Sequence, residues 1–346
     1  MAIRNLTVFS HVELKFGRNL NVLVGENGTG KTHLLKMAYS VLAASWEEGS
    51  KPNDPLPAKS VLQSRLARKL VNVFRPETLG RLTRRQSGRA RCDVSILCRP
   101  SMGPLSFSFA ANSQKEVVLD RVRRQWIEPP PVFFPTRELL TLYPNFVSVY
   151  DSHYLEFEET WRDTCQLLGA PLSRDTGAAT DILSALEEAM RGKIELDSNG
   201  RFYLRGEQGR IEMPLVAEGM RKFGMLARLI ANGTLLKQGC LFWDEPEANL
   251  NPALIARLAE IIVMLGASGV QVFLATHSLF LLRELELLLE RRKGENYEAR
   301  FFGLHFSDQG VTVEQGASVN DIGDIRSLDE ELNQSNRFLT TERPAA

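Results

Sequence analysis

Gly25-Glu26-Asn27-Gly28-Thr29-Gly30-Lys31-Thr32 follows the pattern G-x-x-x-x-G-K-[ST], and it lies between the apolar run Leu20-Asn21-Val22-Leu23-Val24 and the helix-patterned His33-Leu34-Leu35-Lys36-Met37-Ala38. Gly-rich turns of this composition also occur in unrelated chains, but a strand before and a helix after give the pattern a mechanism. The glycines let backbone N–H groups curl round a β-phosphate, Lys31 reaches the β and γ oxygens, and Thr32 offers its hydroxyl to Mg²⁺ at the positive end of the helix. Such a loop demands an α/β fold, with the loop at the carboxyl edge of a sheet. Glu26, Asn27, Thr29 and His33 complete the expected nucleotide-binding set.

A phosphate loop alone serves kinases, GTPases and ATPases alike, and the second half of the chain separates them. Cys240-Leu241-Phe242-Trp243-Asp244-Glu245-Pro246 is an apolar strand ending in adjacent carboxylates. Asp244 suits the Mg²⁺ shell, and Glu245 suits orienting and deprotonating an attacking water. A plainer reading makes the pair a cap for the helix that Pro246 and Pro252 introduce. Val270-Gln271-Val272-Phe273-Leu274-Ala275-Thr276 has the pattern of a buried strand and delivers His277-Ser278 to the same edge, where an imidazole can meet both the γ-phosphate and the water.

Together these segments resemble the ATP-binding-cassette (ABC) ATPase superfamily. Gly25 to Thr32 stands as Walker A, Leu241 to Glu245 as Walker B with its catalytic glutamate, Glu247-Ala248-Asn249-Leu250-Asn251-Pro252 as a D-loop, and His277 as the switch histidine. Within the superfamily the chain looks like the branch of RecF, SMC and OLD-nuclease ATPase heads and their stand-alone AAA-15 and AAA-21 relatives. The resemblance covers the P-loop region and roughly residues 213–316. It implies ATP and Mg²⁺ as ligands and a P-loop NTPase fold of ABC type, a mixed sheet flanked by helices with an inserted helical and β accessory lobe. It also implies a signature segment that meets the γ-phosphate held by another protomer. Val216-Ala217-Glu218-Gly219-Met220-Arg221-Lys222 is the candidate, with Glu218, Gly219 and Arg221 as contacts beside Asn249 of the D-loop. Ala217 stands where the family has a serine and Met220 where it has a glutamine. Either trans-activation is weak or Arg221 supplies the missing charge; an amphipathic helix without phosphate contact is the competing reading. No glutamine loop is evident. Pro131-Val132-Phe133-Phe134-Pro135-Thr136-Arg137-Glu138 takes its place, a short strand leading into a polar segment and then a helix. Thr136 and Glu138 are candidates for the Mg²⁺ and water shell, and Arg137 with Glu138 reads equally as a helix-start ion pair.

With 346 residues, 43% of them hydrophobic, the chain can bury a core for one ATPase domain carrying a large insertion. The expected division is residues 1–45 for the first part of the core, 46–130 for a basic insertion with antiparallel strands, 131–212 for a helical lobe and 213–346 for the second part of the core. Within it we expect a polar loop at 51–57, a helix from Ser60 to Phe74, strands at 92–98 and 105–109, helices around 150–168 and 180–192, and a hairpin from Lys193 to Leu204. Met1 to Leu6 lacks the apolar centre of a signal peptide and no apolar run approaches ~18 residues, so a cytoplasmic location without membrane contact is expected. Cys92, Cys98, Cys165 and Cys240 show no Cys-x-x-Cys spacing, which argues against a zinc site or disulfide framework.

Formal net charge is zero, yet Lys59, Arg65, Arg68, Lys69, Arg75, Arg81, Arg84, Arg85, Arg89, Arg91 and Arg99 cluster against only Glu77 and Asp93. This stretch either tracks a nucleic-acid backbone or is neutralised by the acidic region beyond it. The resemblance implies a head-to-tail dimer, or higher oligomer, with ATP between copies. It also implies a separately encoded effector such as a nuclease or toxin, in a setting such as antiphage defence or DNA repair. A nucleic-acid sensor, a protein-assembly scaffold with slow hydrolysis, and a transporter subunit are the functions in competition, the last disfavoured by the missing glutamine loop and the large insertion.

Overall fold

The structure, a computed structural model, describes residues 1–50, 59–86, 90–98, 100–174, 177–235 and 239–341. The loop expected at 51–57, and Arg89 and Arg99, lie outside them. From the N-terminus, β1 (Ala2–Leu6) and β2 (Phe9–Glu13) form a hairpin, β3 (Leu20–Gly25) runs through the phosphate loop into α1 (Lys31–Gly49), and α2 (Lys59–Phe74) packs on α1. Next come β4 (Arg91–Ile96), β5 (Leu105–Ala110), β6 (Val118–Arg121), β7 (Val132–Phe134), α3 (Tyr143–Ser152), α4 (Glu159–Leu168) and α5 (Thr180–Met190). A meander of β8 (Lys193–Leu196), β9 (Phe202–Gly206) and β10 (Gly209–Glu212) leads to α6 (Glu218–Ala231). The last third alternates β11 (Cys240–Asp244), α7 (Pro252–Ala267), β12 (Gln271–Thr276), α8 (Leu279–Glu290), β13 (Ala299–Ser307) and β14 (Gly310–Gly316), and α9 (Arg326–Thr341) comes last.

The central sheet has six strands in the order β14-β13-β3-β12-β11-β7. All neighbours pair in parallel except β13 with β14. Its inner strands are buried on both faces, as parallel strands covered by helices must be. Period-2 alternation divides them between two cores. Leu20, Val22, Val24, Leu241, Trp243, Val272 and Leu274 face the helices α5, α6, α7 and α8. Leu23, Phe242, Phe273 and Ala275 face α1 and α2. Because β3, β12, β11 and β7 point the same way, the loops leaving them gather on one edge.

Strands β1, β2, β4, β5 and β6 make a separate antiparallel sheet in the order β2-β1-β4-β5-β6, so the N-terminal hairpin joins the strands of the basic insertion. Three local expectations need correction. The segment after Pro135 turns and α3 begins only at Tyr143, with non-helical backbone at Pro144 (ψ 116°) and Asn145 (φ 61°). The single helix expected around 150–168 is two, α3 ending at Ser152 and α4 starting at Glu159. The hairpin gains a third strand, β10, antiparallel to β9.

Part of the basic insertion is neutralised within the molecule, while Arg68, Arg85 and Arg91 stay exposed. Lys69, 1% exposed, is raised in pKa within a knot of carboxylates: burial opposes its charge, but Asp163 (2.6 Å), Glu159 (3.0 Å) and Glu47 outweigh that. Arg65 pairs with Glu47 and Glu48, Arg81 with Glu77, and Arg75 lies over the Tyr154 ring. Tyr39 of α1 donates to Asp163, and Lys36 of α1 pairs with Glu158, so the helix that opens at the phosphate loop is tied to α4.

Candidate nucleotide site

Gly28 (φ +84°) and Gly30 (φ +89°) adopt left-handed backbone that other residues take only with strain, and they curl the loop over the start of α1. Gly25 admits no side chain, since a Cβ there would lie 2.8 Å from the Leu304 carbonyl. Lys31 is 6% exposed, and its ammonium reaches back across the loop to the carbonyls of Gly25 (2.7 Å) and Glu26 (3.0 Å). Thr29 is buried and donates to Glu26 O (2.7 Å), while Asn27 and Gly28 form the exposed tip. The loop is thus built to surround an anion with backbone N–H groups and one cation.

The carboxyl end of β11 meets this loop directly. Thr32 Oγ1 donates to Asp244 Oδ2 at 2.9 Å. Burial, with Glu245 adding to it, pushes the Asp244 carboxyl up to about 6 against the opposing Thr32 hydrogen bond and the charges of Lys36 and Lys31. Burial also lowers Lys31, which Asp244, Glu245, Glu247 and Glu26 partly counter. A hydroxyl and a half-buried carboxylate side by side are a donor set for a hard divalent cation, whose charge would relieve the partly desolvated oxygen.

Glu245 sits at φ +46°, a left-handed conformation that costs a non-glycine residue about 1–2 kcal/mol. Its N–H donates to Ala275 O (2.9 Å) across to β12, and its carboxylate lies 3.5 Å from His277 Nδ1. His277 is held in place through its neighbour Ser278. That serine caps α8 by accepting from Leu281 N (3.2 Å) and anchors its own N–H on Thr276 Oγ1 (3.0 Å). The helix-capping alternative for Asp244 and Glu245 is not realised, because Asn251 caps α7 by accepting from Leu254 N (3.0 Å).

Glu218 and Gly219 open α6, and Ala217 at the N-cap makes no side-chain cap. Gly219 is pressed on the D-loop, where an added Cβ would meet Leu250 Cδ2 at 2.5 Å and Asn249 O at 2.9 Å. Asn249 is exposed at φ +64°, a region asparagine tolerates better than most residues. Arg221 does not project outward as a charge for a partner; it pairs with buried Glu138 (3.0 Å), whose carboxylate also accepts from Thr141. That pair replaces the expected Arg137–Glu138 pairing and leaves Arg137 exposed at the edge beside Thr136. His33 turns the other way, its Nδ1 3.0 Å from Thr7 Oγ1 and its ring against Phe74, with burial lowering its pKa and Lys36 adding to this.

Two residues not singled out from sequence complete the surroundings. Thr276 donates to Glu247 Oε1 (2.5 Å), holding the D-loop to β12. Lys222, 2% exposed, donates to Ala248 O (2.8 Å) and Glu245 O (3.3 Å), and burial lowers it to about 8 although Glu247, Glu218, Glu245 and Asp244 favour its charge. Its signal is present in the chain: Gly219, Lys222, Phe223 and Leu226 share the buried stripe of α6, and a lysine there demands a partner.

Residues 121–283 match a family model described as "AAA domain, putative AbiEii toxin, Type IV TA system", a match that takes in Glu138, α6, Asp244, Glu245 and His277 and begins after the phosphate loop. Among solved structures, an SMC head bound to the C-terminal winged-helix domain of ScpA is 12% identical, with 92% of this chain and 97% of that chain covered and a TM-score of 0.55. The fold is that of the SMC head domains, a mixed sheet flanked by helices of the P-loop NTPase kind. The SMC head domain from Thermotoga maritima (11% identity, 90% of this chain and 96% of that, TM-score 0.47) is also similar. So is an SMC head with an extended coiled coil bound to the C-terminal domain of ScpA, derived from Pyrococcus furiosus (11%, 99% and 98%, 0.49). No curated protein sequence matches the chain. Among the described residues no helix is long and apolar enough to cross a membrane.

Proposed function

We propose that this ABC-type head binds ATP and hydrolyses it to ADP and phosphate, and that the nucleotide drives association of two copies head to tail. The observation that carries this reading is the meeting of Thr32 with Asp244 at 2.9 Å beside the Glu245–His277 pair at 3.5 Å, which unites segments separated by more than two hundred residues. Mg²⁺ fits the Thr32 hydroxyl and Asp244 carboxylate, and when bound there it supplies charge neutralisation for the phosphate oxygens. Lys31 and the amides of the loop hold the β- and γ-phosphates. Glu245 accepts a proton from the attacking water, which His277 helps to orient, and catalysis comes mainly from positioning and fixed charge. Gly219 of a second copy, at the positive end of α6, faces the γ-phosphate through backbone N–H groups, Ala217 contributing no hydroxyl.

The cycle serves as a switch for a separately encoded effector, and the toxin-system description of the matching family supports an effector of that kind. A cytoplasmic setting such as antiphage defence is consistent with this reading. For the cargo, a protein partner is favoured over nucleic acid, because Arg65 and Lys69 of the basic stretch are engaged inside the molecule, Arg75 lies over the Tyr154 ring and Arg81 pairs with Glu77 at the surface. The SMC head of the TM-score 0.55 match is bound to a domain of a partner protein, which supports the same choice. The test is the mass in solution of Glu245→Gln with Mg-ATP, with and without double-stranded DNA. Doubling on ATP, unaffected by DNA, is expected. An unchanged mass contradicts the dimer, and salt-sensitive DNA binding restores the nucleic-acid reading.

A further inference from the structure

Lys222 is a cation inside an apolar stripe, and among the described residues no carboxylate lies within ion-pair distance of it. Its ammonium is spent on two backbone carbonyls, Ala248 O at 2.8 Å and Glu245 O at 3.3 Å. These carbonyls belong to a turn that is left-handed at Glu245 (φ +46°) and again at Asn249 (φ +64°), and such backbone persists only where its surroundings hold it. One turn back on the same helix, Gly219 touches Asn249 O and Leu250. Thus α6 grips the segment 245–250 at both ends, with Lys222 as the polar contact to the glutamate's own peptide.

We propose that Lys222 is a positioning residue for hydrolysis: it holds the Glu245 backbone so that the carboxylate is aimed beside His277, and it makes α6 the mechanical link between the two nucleotides of a dimer. The N-terminus of α6 faces the partner's nucleotide while its Lys222 holds the glutamate that serves its own protomer's nucleotide. Engagement of one site is therefore transmitted to the other. This rests on the hydrolysis reading above.

The test measures phosphate release against ATP concentration for wild type, Lys222→Met and Lys222→Arg, with affinity for a non-hydrolysable ATP analogue and thermal unfolding measured alongside. Lys222→Met is expected to lower kcat by about 10- to 100-fold, as misplacement of a reacting group does, with KM and analogue affinity changed by no more than about 3-fold. It also removes any cooperativity in ATP concentration that wild type shows. Lys222→Arg, which can still donate to both carbonyls, restores part of the rate. Combined with Glu245→Gln, Lys222→Met changes the residual rate less than about 2-fold, because it acts through the glutamate. Should Lys222→Met not fold, Lys222→Gln keeps a donor and must show the same split between kcat and KM. Full turnover in Lys222→Met, a loss of analogue affinity equal to the loss of rate, or an undiminished effect in the Glu245→Gln background overturns the proposal while leaving ATP hydrolysis intact. A wild type without turnover removes the hydrolysis reading and this proposal with it.

Discussion

At the scale of single residues, the site is a set of local disadvantages held in place by neighbours. Asp244 is a half-buried carboxyl raised to about 6, Lys31 a buried ammonium lowered by the same cause, and Glu245 a side-chain-bearing residue in glycine's territory. Asp244 has a stability consequence with a definite sign. A carboxyl raised in the fold above its unfolded value of 3.8 favours folding below that value and loses this contribution as pH rises through about 6. Asp244→Asn, which accepts the Thr32 hydrogen bond without charge, is therefore expected to be more stable than wild type in metal-free buffer at pH 7.5, by on the order of 3 kcal/mol, and inactive. The advantage shrinks as pH falls towards 5. Urea unfolding from pH 5 to 8 in EDTA checks this, and a difference that does not vary with pH contradicts the origin assigned to it.

The phosphate loop, Asp244, Glu245 and His277 are legible in the sequence because each is a local pattern at the end of an apolar strand, and parallel pairing alone then gathers them. The pairing of Arg221 with Glu138 is not legible from sequence because Glu138 lies 83 residues earlier, on a segment whose course after Pro135 reads as helical and is not.

Among elements, α6 packs against both Glu245 and the D-loop segment. Its apolar stripe seats it on the core through Phe223, Leu226, Leu229 and Ile230, and its first turn abuts the D-loop with no room to spare. Gly219→Ala puts a methyl 2.9 Å from Asn249 O and pushes helix and loop apart. The expected outcome is a stability loss of about 1–3 kcal/mol, typical of overpacking, with hydrolysis reduced and analogue affinity retained, since the phosphate loop is untouched. Unfolding and binding titrations on the same preparation decide it; lost affinity would mean that α6 shapes the protomer's own phosphate loop. The strand β10 could not be read from any strong pattern, since its short run Gly209–Glu212 gains its place only by pairing with β9.

On the scale of the whole molecule, the inserted segments are bound into the ATPase core rather than hung upon it. Lys69 of α2 meets Asp163 of α4 across 94 residues and Glu47 of α1 across 22, so part of the charge that reads as a basic stretch in sequence is cancelled in space. Charge counts along a chain miss this, because the acidic partners sit on other helices. Tying α1 to α4 through Lys36, Tyr39 and Lys69 gives the lobe a direct hold on the helix that begins at Lys31. All of this depends on one chemical claim, that Glu245 beside His277 activates water against a phosphate held by Lys31 and Thr32. Steady-state phosphate release by wild type and Glu245→Gln, with Mg-ATP and protein concentrated enough to dimerise, tests it most directly. Turnover in wild type and a fall of about 100-fold or more in the variant, with analogue binding preserved, are expected. Equal rates in the two proteins would contradict the claim.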